Sequence, residues 1–451
     1  MKKTKISLFD LIGIGIGQII GSGVMILTGI AIGKTGYGVP LAFVFAGIIV
    51  AITNICLATL GSAIPANGGQ YTYVRDLIGK KAGFFYVALL AAGQLVLANY
   101  AIGFAEYFKE LVPSINVSLV AAIMMTIVFI VNLMGVKTAV RFQNLLVIVL
   151  IVSIALFIFL GFPQIKSFKP YTNIETIMPN GFTDFVAGIF LVRFSLVGAE
   201  YINEFGEDAE NPGKNIPLAM IISTVIVSII YLCVGFVATG VLPIEKVAFK
   251  TLGNVADEIF TKPIYYFFMV GGAMFAVASS LNAVFAWAPK GLAVAIEDGW
   301  LPKGLAKRNK RFGTPHYLLI IFYLIGMIPI ISGGTFEIIA ILGNNIGLIF
   351  AALPMIAVIF LPKRNKEAYD KAYFKLPKWA MTVLPIFCLI IFAGGFYSNI
   401  DFIGPLGIKV MFIYCLIVAI YAKLREPYVN IKERKWLGKK ISILTKNQQI
   451  I

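Results

Sequence analysis

A chain of 451 residues has the length of two or three soluble domains, but 59% hydrophobic residues, 13% charged residues and a mean hydropathy of +0.89 exclude soluble domains as its main content. The net charge of +16 raises nucleic acid as a partner, yet its distribution along the chain points to lipid instead. Four cysteines, Cys56, Cys233, Cys388 and Cys415, all lie in apolar runs without paired spacing, which argues against a disulfide framework or a metal site.

A bilayer core takes about 20 mostly apolar residues per helical crossing. Twelve such segments follow one another, at 8–32, 38–64, 83–108, 117–135, 143–162, 181–203, 216–241, 263–295, 316–332, 336–361, 379–398 and 405–422. They predict an all-α polytopic membrane protein of twelve transmembrane helices. Lys2, Lys3 and Lys5 precede the first segment as in a signal peptide, but the segment is too long and lacks a small-residue cleavage site, so it is expected to be retained. With a cytoplasmic N-terminus, about 28 of the 38 Lys and Arg fall in inside segments and about 7 outside. This bias predicts a multi-pass protein of the cell membrane with both termini cytoplasmic. Lys303, Lys307, Arg308, Lys310 and Arg311 before the ninth segment then read as anchors to anionic lipid, as do Lys363, Arg364 and Lys366 before the eleventh.

The first segment carries five glycines in eleven positions, Gly13, Gly15, Gly17, Gly21 and Gly23. Each costs a helix about 1 kcal/mol relative to Ala, so unwinding here is cheap. Broken backbone at membrane depth is tolerated only where it lines a cavity or is buried in protein, and a break at Gly21-Ser22-Gly23 is therefore expected to mark a site. Gly13 and Gly17 also form a small-xxx-small face for a neighbouring helix. A phosphate-cradling glycine loop needs a preceding strand, which is missing, so no nucleotide is expected.

The sixth segment holds the matching interruption, Arg193-Phe194-Ser195-Leu196-Val197-Gly198-Ala199-Glu200-Tyr201. Interruptions at corresponding positions of two five-helix halves are the pattern of a transporter site between inverted repeats. The expected organisation is a first repeat over 1–162, a second over 163–361, two further helices over 362–424, and a cytoplasmic tail over 425–451. A dehydrated α-amino acid needs an anion site and a cation site a few ångströms apart. Free N–H groups of Ser22, Gly23 and Val24 would meet its carboxylate, and freed carbonyls of Phe194, Ser195 and Val197 would meet its ammonium. Ile20 and Gly198 complete the candidate substrate-binding set. Arg193 and Glu200, seven apart, are expected to pair or to anchor neighbouring helices; an Arg193 contact with substrate would favour acidic amino acids.

At these residues the sequence resembles the amino acid–polyamine–organocation superfamily, and within it the bacterial L-type amino-acid transporters. The resemblance extends to Pro65-Ala66-Asn67-Gly68-Gly69-Gln70-Tyr71-Thr72-Tyr73, Glu207-Asp208-Ala209-Glu210-Asn211-Pro212, Ser279-Ser280-Leu281-Asn282 and Asp298-Gly299-Trp300-Leu301-Pro302. It implies the leucine-transporter fold, with substrate held between spans 1, 3, 6, 8 and 10, carboxylate on Ser22 and Gly23, and amine on Phe194, Ser195 and Val197. Phe194 falls where relatives carry an aromatic gate; a core aromatic is the plain alternative.

Proton-coupled and exchanger relatives carry a lysine in the fifth span, seven residues after a Gln, and counting from Gln143 gives Leu150. The pattern Ala276-x-x-Ser279-Ser280 resembles the second sodium site of sodium-coupled members. The two hydroxyls with the carbonyls of Ala276, Gly17 and Ile20 would offer five oxygens to a sodium ion, the one ion or cofactor expected. Sodium symport, exchange or facilitated diffusion, and proton coupling stay open, in that order. The expected partners are an amino acid as small-molecule substrate, a neutral one favoured, and membrane lipid, without an obligatory protein partner. A sensor retaining the fold is the alternative from another class, disfavoured by the short loops. His316, the sole histidine, sits at a helix entry, so an enzyme is not expected.

Overall fold

The computed structural model describes residues 5–333, 336–398, 400–430, 435–436 and 439–440. Each of the twelve apolar segments is helical. Nine helices among the described residues are long and apolar enough to cross a membrane, and three shorter apolar helices, Leu8–Ile19, Val117–Leu133 and His316–Ile331, fall on expected segments as well. Most of the tail over 425–451 lies outside the described residues; Lys435–Trp436 and Lys439–Lys440 form a short antiparallel pair there.

The first segment starts on a capping box: the Ser7 hydroxyl accepts the Asp10 amide at 3.2 Å, and the Asp10 carboxylate accepts the Ser7 amide at 3.1 Å. Its helix Leu8–Ile19 stops at Ile20 and Gly21, whose dihedrals are not helical, and resumes as Ser22–Thr35. The interruption thus begins one residue before the expected triplet, and Ser22 and Gly23 open the second half. Gly13, Gly15 and Gly17 face neighbouring spans closely. A Cβ on each would lie 2.6 Å from Asn144 Oδ1, 2.5 Å from Ser223 Oγ and 2.1 Å from Gln143 Nε2 respectively. The close-packing face and the break therefore coexist on one segment.

The second span, Val39–Ala63, leads through a turn into a short helix, Gly69–Leu77. The third is two helices, Lys80–Gly93 and Val96–Leu111, joined by a turn at Gln94-Leu95 within an apolar run that reads as continuous in the sequence. The fifth is Val136–Gly161 and the seventh Pro212–Gly240. The sixth runs as α-helix over Gly181–Phe194, loses helical geometry over 195–198, and continues as a 3₁₀ helix over Ala199–Glu204. In the eighth, a π-helical stretch, Phe268–Met274, joins Lys262–Phe267 to Phe275–Glu297. The tenth to twelfth spans are Phe336–Arg364, Ala380–Ser398 and Ile400–Arg425, the last kinked at Gly404 ahead of Pro405.

The interrupted first span packs against the fifth, seventh and eighth, so the chain's breaks lie in its interior. The outer faces carry Ile48, Leu145, Phe159, Ile229, Ile390 and Phe412, all more than 45% exposed. Apolar surface of that extent, spread round the molecule, suits lipid rather than water.

Candidate functional site

The two interruptions meet. Gly198 sits at φ 149°, ψ −31°, and a Cβ there would lie 3.0 Å from both the Gln18 carbonyl carbon and the Ile19 nitrogen. One turn away, a Cβ on Gly23 would lie 2.7 Å from Ser195 Oγ and 3.1 Å from Ser195 Cα. Glycine at both positions is what lets the broken backbones touch.

Chemically, this apposition sets opposite partial charges face to face. Ser22, Gly23 and Val24 form the first turn of a helix, where amides have no intrahelical acceptor. On the sixth span, Leu196 N–H donates to Arg193 and Val197 N–H to Phe194, but no backbone amide of the described residues donates to the carbonyls of Ser195, Leu196 or Val197. The Gly198 amide is taken by Glu200 Oε2 at 2.8 Å.

A cavity of about 140 Å³ opens beside the apposed breaks. Of the predicted substrate residues, Gly23, Phe194, Ser195 and Val197 border it. Ile20 is fully buried and Gly198 is packed on the first span, so both serve the break rather than the wall. The Ser22 backbone opens the helix, and its side chain lies outside the described residues. The wall also draws on the second, third, eighth, tenth and eleventh spans. At one boundary the Tyr201 ring stacks on Trp287, centroids 3.8 Å apart and 3° from parallel, and Trp287 Nε1 donates to Gln18 Oε1 at 3.0 Å.

Several wall residues were not singled out from the sequence: Gln18, Asn54, Gln94, Asn99, Tyr201 and Trp287. Their signal was available, because isolated amides inside apolar spans are expensive and tend to face a bundle interior. The oxygens Asn54 Oδ1, Gln94 Oε1 and Asn99 Oδ1, with Ser195 Oγ, are buried without a hydrogen-bond partner. Unpaired buried groups cost about 1–3 kcal/mol each, which suits a wall awaiting a polar ligand.

Arg193 and Glu200 both border the cavity, but they do not form the expected ion pair: no carboxylate of the described residues lies within 4.0 Å of the Arg193 guanidinium. The seven-residue spacing places two side chains on one face only if the helix is continuous, and here it unwinds between them. Glu200 instead caps the Gly198 amide, and Arg193 reaches a neighbouring span, its Cζ 5.1 Å from the Phe392 ring centroid.

The candidate ion-binding oxygens also converge. The Ser279 hydroxyl shares its proton between the carbonyls of Ala276 (2.8 Å) and Gly17 (3.0 Å), and Ser280 Oγ donates to Gly17 (3.0 Å) with Gln18 at 3.4 Å. Gln18 rather than Ile20 supplies the second first-span carbonyl that the hydroxyls reach. The donor set fits a hard monovalent cation in chemistry, provided both hydroxyl protons turn outward. Leu150, at the lysine position, is fully buried. The π-helical stretch places Gly271 against the same span, where a Cβ on that glycine would lie 2.4 Å from Ser153 Oγ.

Toward the C-terminal end of the helix that carries Trp287, polar contacts tie neighbouring segments together. Ile6 pairs with the loop after the sixth span, its amide on Asp208 O (2.7 Å) and its carbonyl accepting from Glu210 (2.9 Å). Lys290 forms an ion pair with Asp208, and Arg75 with Asp298 at 2.6 Å, where the Tyr71 hydroxyl also donates at 2.8 Å. Burial pushes the Tyr71 phenol well above its ordinary value, with the Asp298 charge adding to it, which keeps that hydroxyl a donor.

The amino acid permease family profile matches residues 6–422. Similar proteins include a methylthioribose transporter of Bacillus subtilis (strain 168), 27% identical over 84% of this chain and 85% of that protein. A branched-chain amino acid permease of the same organism is 24% identical over 91% and 93%. The cystine/glutamate transporter of Homo sapiens is 26% identical over 88% and 81%. Over almost its whole helical length, breaks included, the chain belongs to the amino acid permease family of the amino acid–polyamine–organocation superfamily.

Proposed function

We propose that this protein is a secondary active transporter that carries a neutral amino acid across the cell membrane by alternating access. Family membership supports amino-acid transport, and the observation that carries the mechanism is the meeting of two broken helices at one buried cavity. All twelve helical segments cross the bilayer in this reading, spans 1–5 and 6–10 are inverted repeats, and both termini are cytoplasmic. The substrate carboxylate takes the amides of Ser22, Gly23 and Val24, where the helix dipole favours negative charge. Its ammonium takes the carbonyls of Ser195 and Val197, and Phe194 covers it. Inward release requires the Tyr201–Trp287 stack to part and the Lys290–Asp208 pair to separate.

Sodium enters in the same reading as co-substrate, between the first and eighth spans, held by Gly17, Ala276, Ser279 and Ser280 with Ile20 as a further oxygen. The absence of a lysine at Leu150 supports it. Sodium-independent exchange is the second reading, favoured by hydroxyls that already satisfy the carbonyls around them. Uptake of a panel of labelled amino acids into proteoliposomes, with and without an inward sodium gradient at fixed pH, decides between them. Equal rates in the two conditions eliminate sodium coupling, and binding without flux of any amino acid would favour a sensor.

A further inference from the structure

Arg193 is only 8% exposed, yet it has no ion-pair partner among the described residues and its Nε has no hydrogen-bond partner. It stands on the last turn of the Gly181–Phe194 helix, its Cζ 5.1 Å from the Phe392 ring centroid. On the second span, against which the Gly181–Phe194 helix packs, Asn54 also borders the cavity; it spends its Nδ2 on Thr224 Oγ1 at 2.8 Å and leaves Oδ1 unpartnered. Phe392 and Met355 add apolar surface to the wall. Beyond what the α-amino and α-carboxylate groups consume, the cavity therefore presents the Arg193 guanidinium and the unpaired amide oxygens of Asn54, Gln94 and Asn99, of which Asn54 lies on a span packed against the Arg193 helix.

Resting on the transport reading above, we infer that Arg193 and Asn54 form a side-chain subsite selecting an amino acid with a carboxamide side chain. The side-chain carbonyl accepts from the Arg193 guanidinium, and the side-chain N–H donates to Asn54 Oδ1. Charge excludes the nearest competitor. Glu200 borders the same cavity, so the formal charges of its one arginine and one glutamate cancel, and a carboxylate side chain would leave the site with net negative charge. An aliphatic side chain would cover both polar groups without pairing either, the condition under which polar sites reject apolar analogues most strongly.

Near-isosteric pairs test this on the full chain in lipid nanodiscs, by direct binding. L-asparagine should bind at least about tenfold more tightly than L-leucine, and L-glutamine at least about tenfold more tightly than L-glutamate. Arg193→Leu should shrink the asparagine-to-leucine ratio about tenfold, and Arg193→Lys should retain part of it. Leucine binding as well as asparagine overturns the inference, as does an unchanged ratio in Arg193→Leu. Tighter binding of glutamate than glutamine would replace it with an anion subsite. The wild-type ratios stand even if the variants fail to fold. Failure of every amino acid to bind, alanine and glycine included, would instead sink the transport reading itself.

Discussion

Replacing Gly198 by alanine attacks the contact on which the site is built. At φ 149°, ψ −31° an L-residue is strained by about 1–3 kcal/mol. The added methyl also arrives 2.9 Å from Gln18 Cγ and 3.0 Å from two backbone atoms of Gln18 and Ile19. A side-chain end could swing away, but backbone cannot, and Gln18 is further held by Trp287. Overpacking of this kind adds about 1–3 kcal/mol. Even the lower bound of the sum, about 2 kcal/mol, corresponds to roughly a thirtyfold loss of the state in which the breaks are apposed. Initial uptake rates in proteoliposomes, normalised to reconstituted protein, should fall by that order. Gly304→Ala is the control, since a Cβ there meets nothing within 4 Å. Uptake and thermal stability of Gly198→Ala within twofold and two degrees of Gly304→Ala would refute the apposed-break geometry.

Gly23→Trp should abolish uptake, because even a Cβ at that position already meets Ser195, and unchanged uptake would remove the site from this cavity. If sodium is co-transported, Ser279→Ala and Ser280→Ala should each raise the sodium concentration for half-maximal uptake about tenfold or more; an unchanged sodium titration argues against these ligands. Arg75→Met leaves Asp298 buried without its guanidinium and should cost about 3–5 kcal/mol, read as early thermal aggregation in detergent. The raised phenol of Tyr71 gives a stability contribution present below about pH 10 and lost as pH climbs past it, so wild type and Tyr71→Phe should converge in alkaline solution.

Much of the architecture was legible in the chain alone because lipid leaves few options: apolar runs must be helices, and glycine-rich or charged interruptions must be buried. The break in the first span and the break in the sixth follow from that rule, whereas the gathering of Gly17, Ala276, Ser279 and Ser280 was implied only by the family resemblance. The turn at Gln94 did not stand out, since one amide after one glycine is weak evidence against an otherwise continuous run. Gln18, Asn54 and Asn99 were visible only as stray polar residues, with no indication of which span each would face.

What the sequence determined by itself was the solvent, the helical segments and the two places where helices fail, all set by composition and local backbone cost. Which groups meet was decided by tertiary structure. Seven-residue spacing left open whether Arg193 and Glu200 would pair or anchor neighbouring helices, and the unwound backbone between them turned the carboxylate onto Gly198 and left the guanidinium over Phe392. Local periodicity holds only while a helix is intact, and at this site it is not, so the partners are chosen by packing between spans distant in sequence.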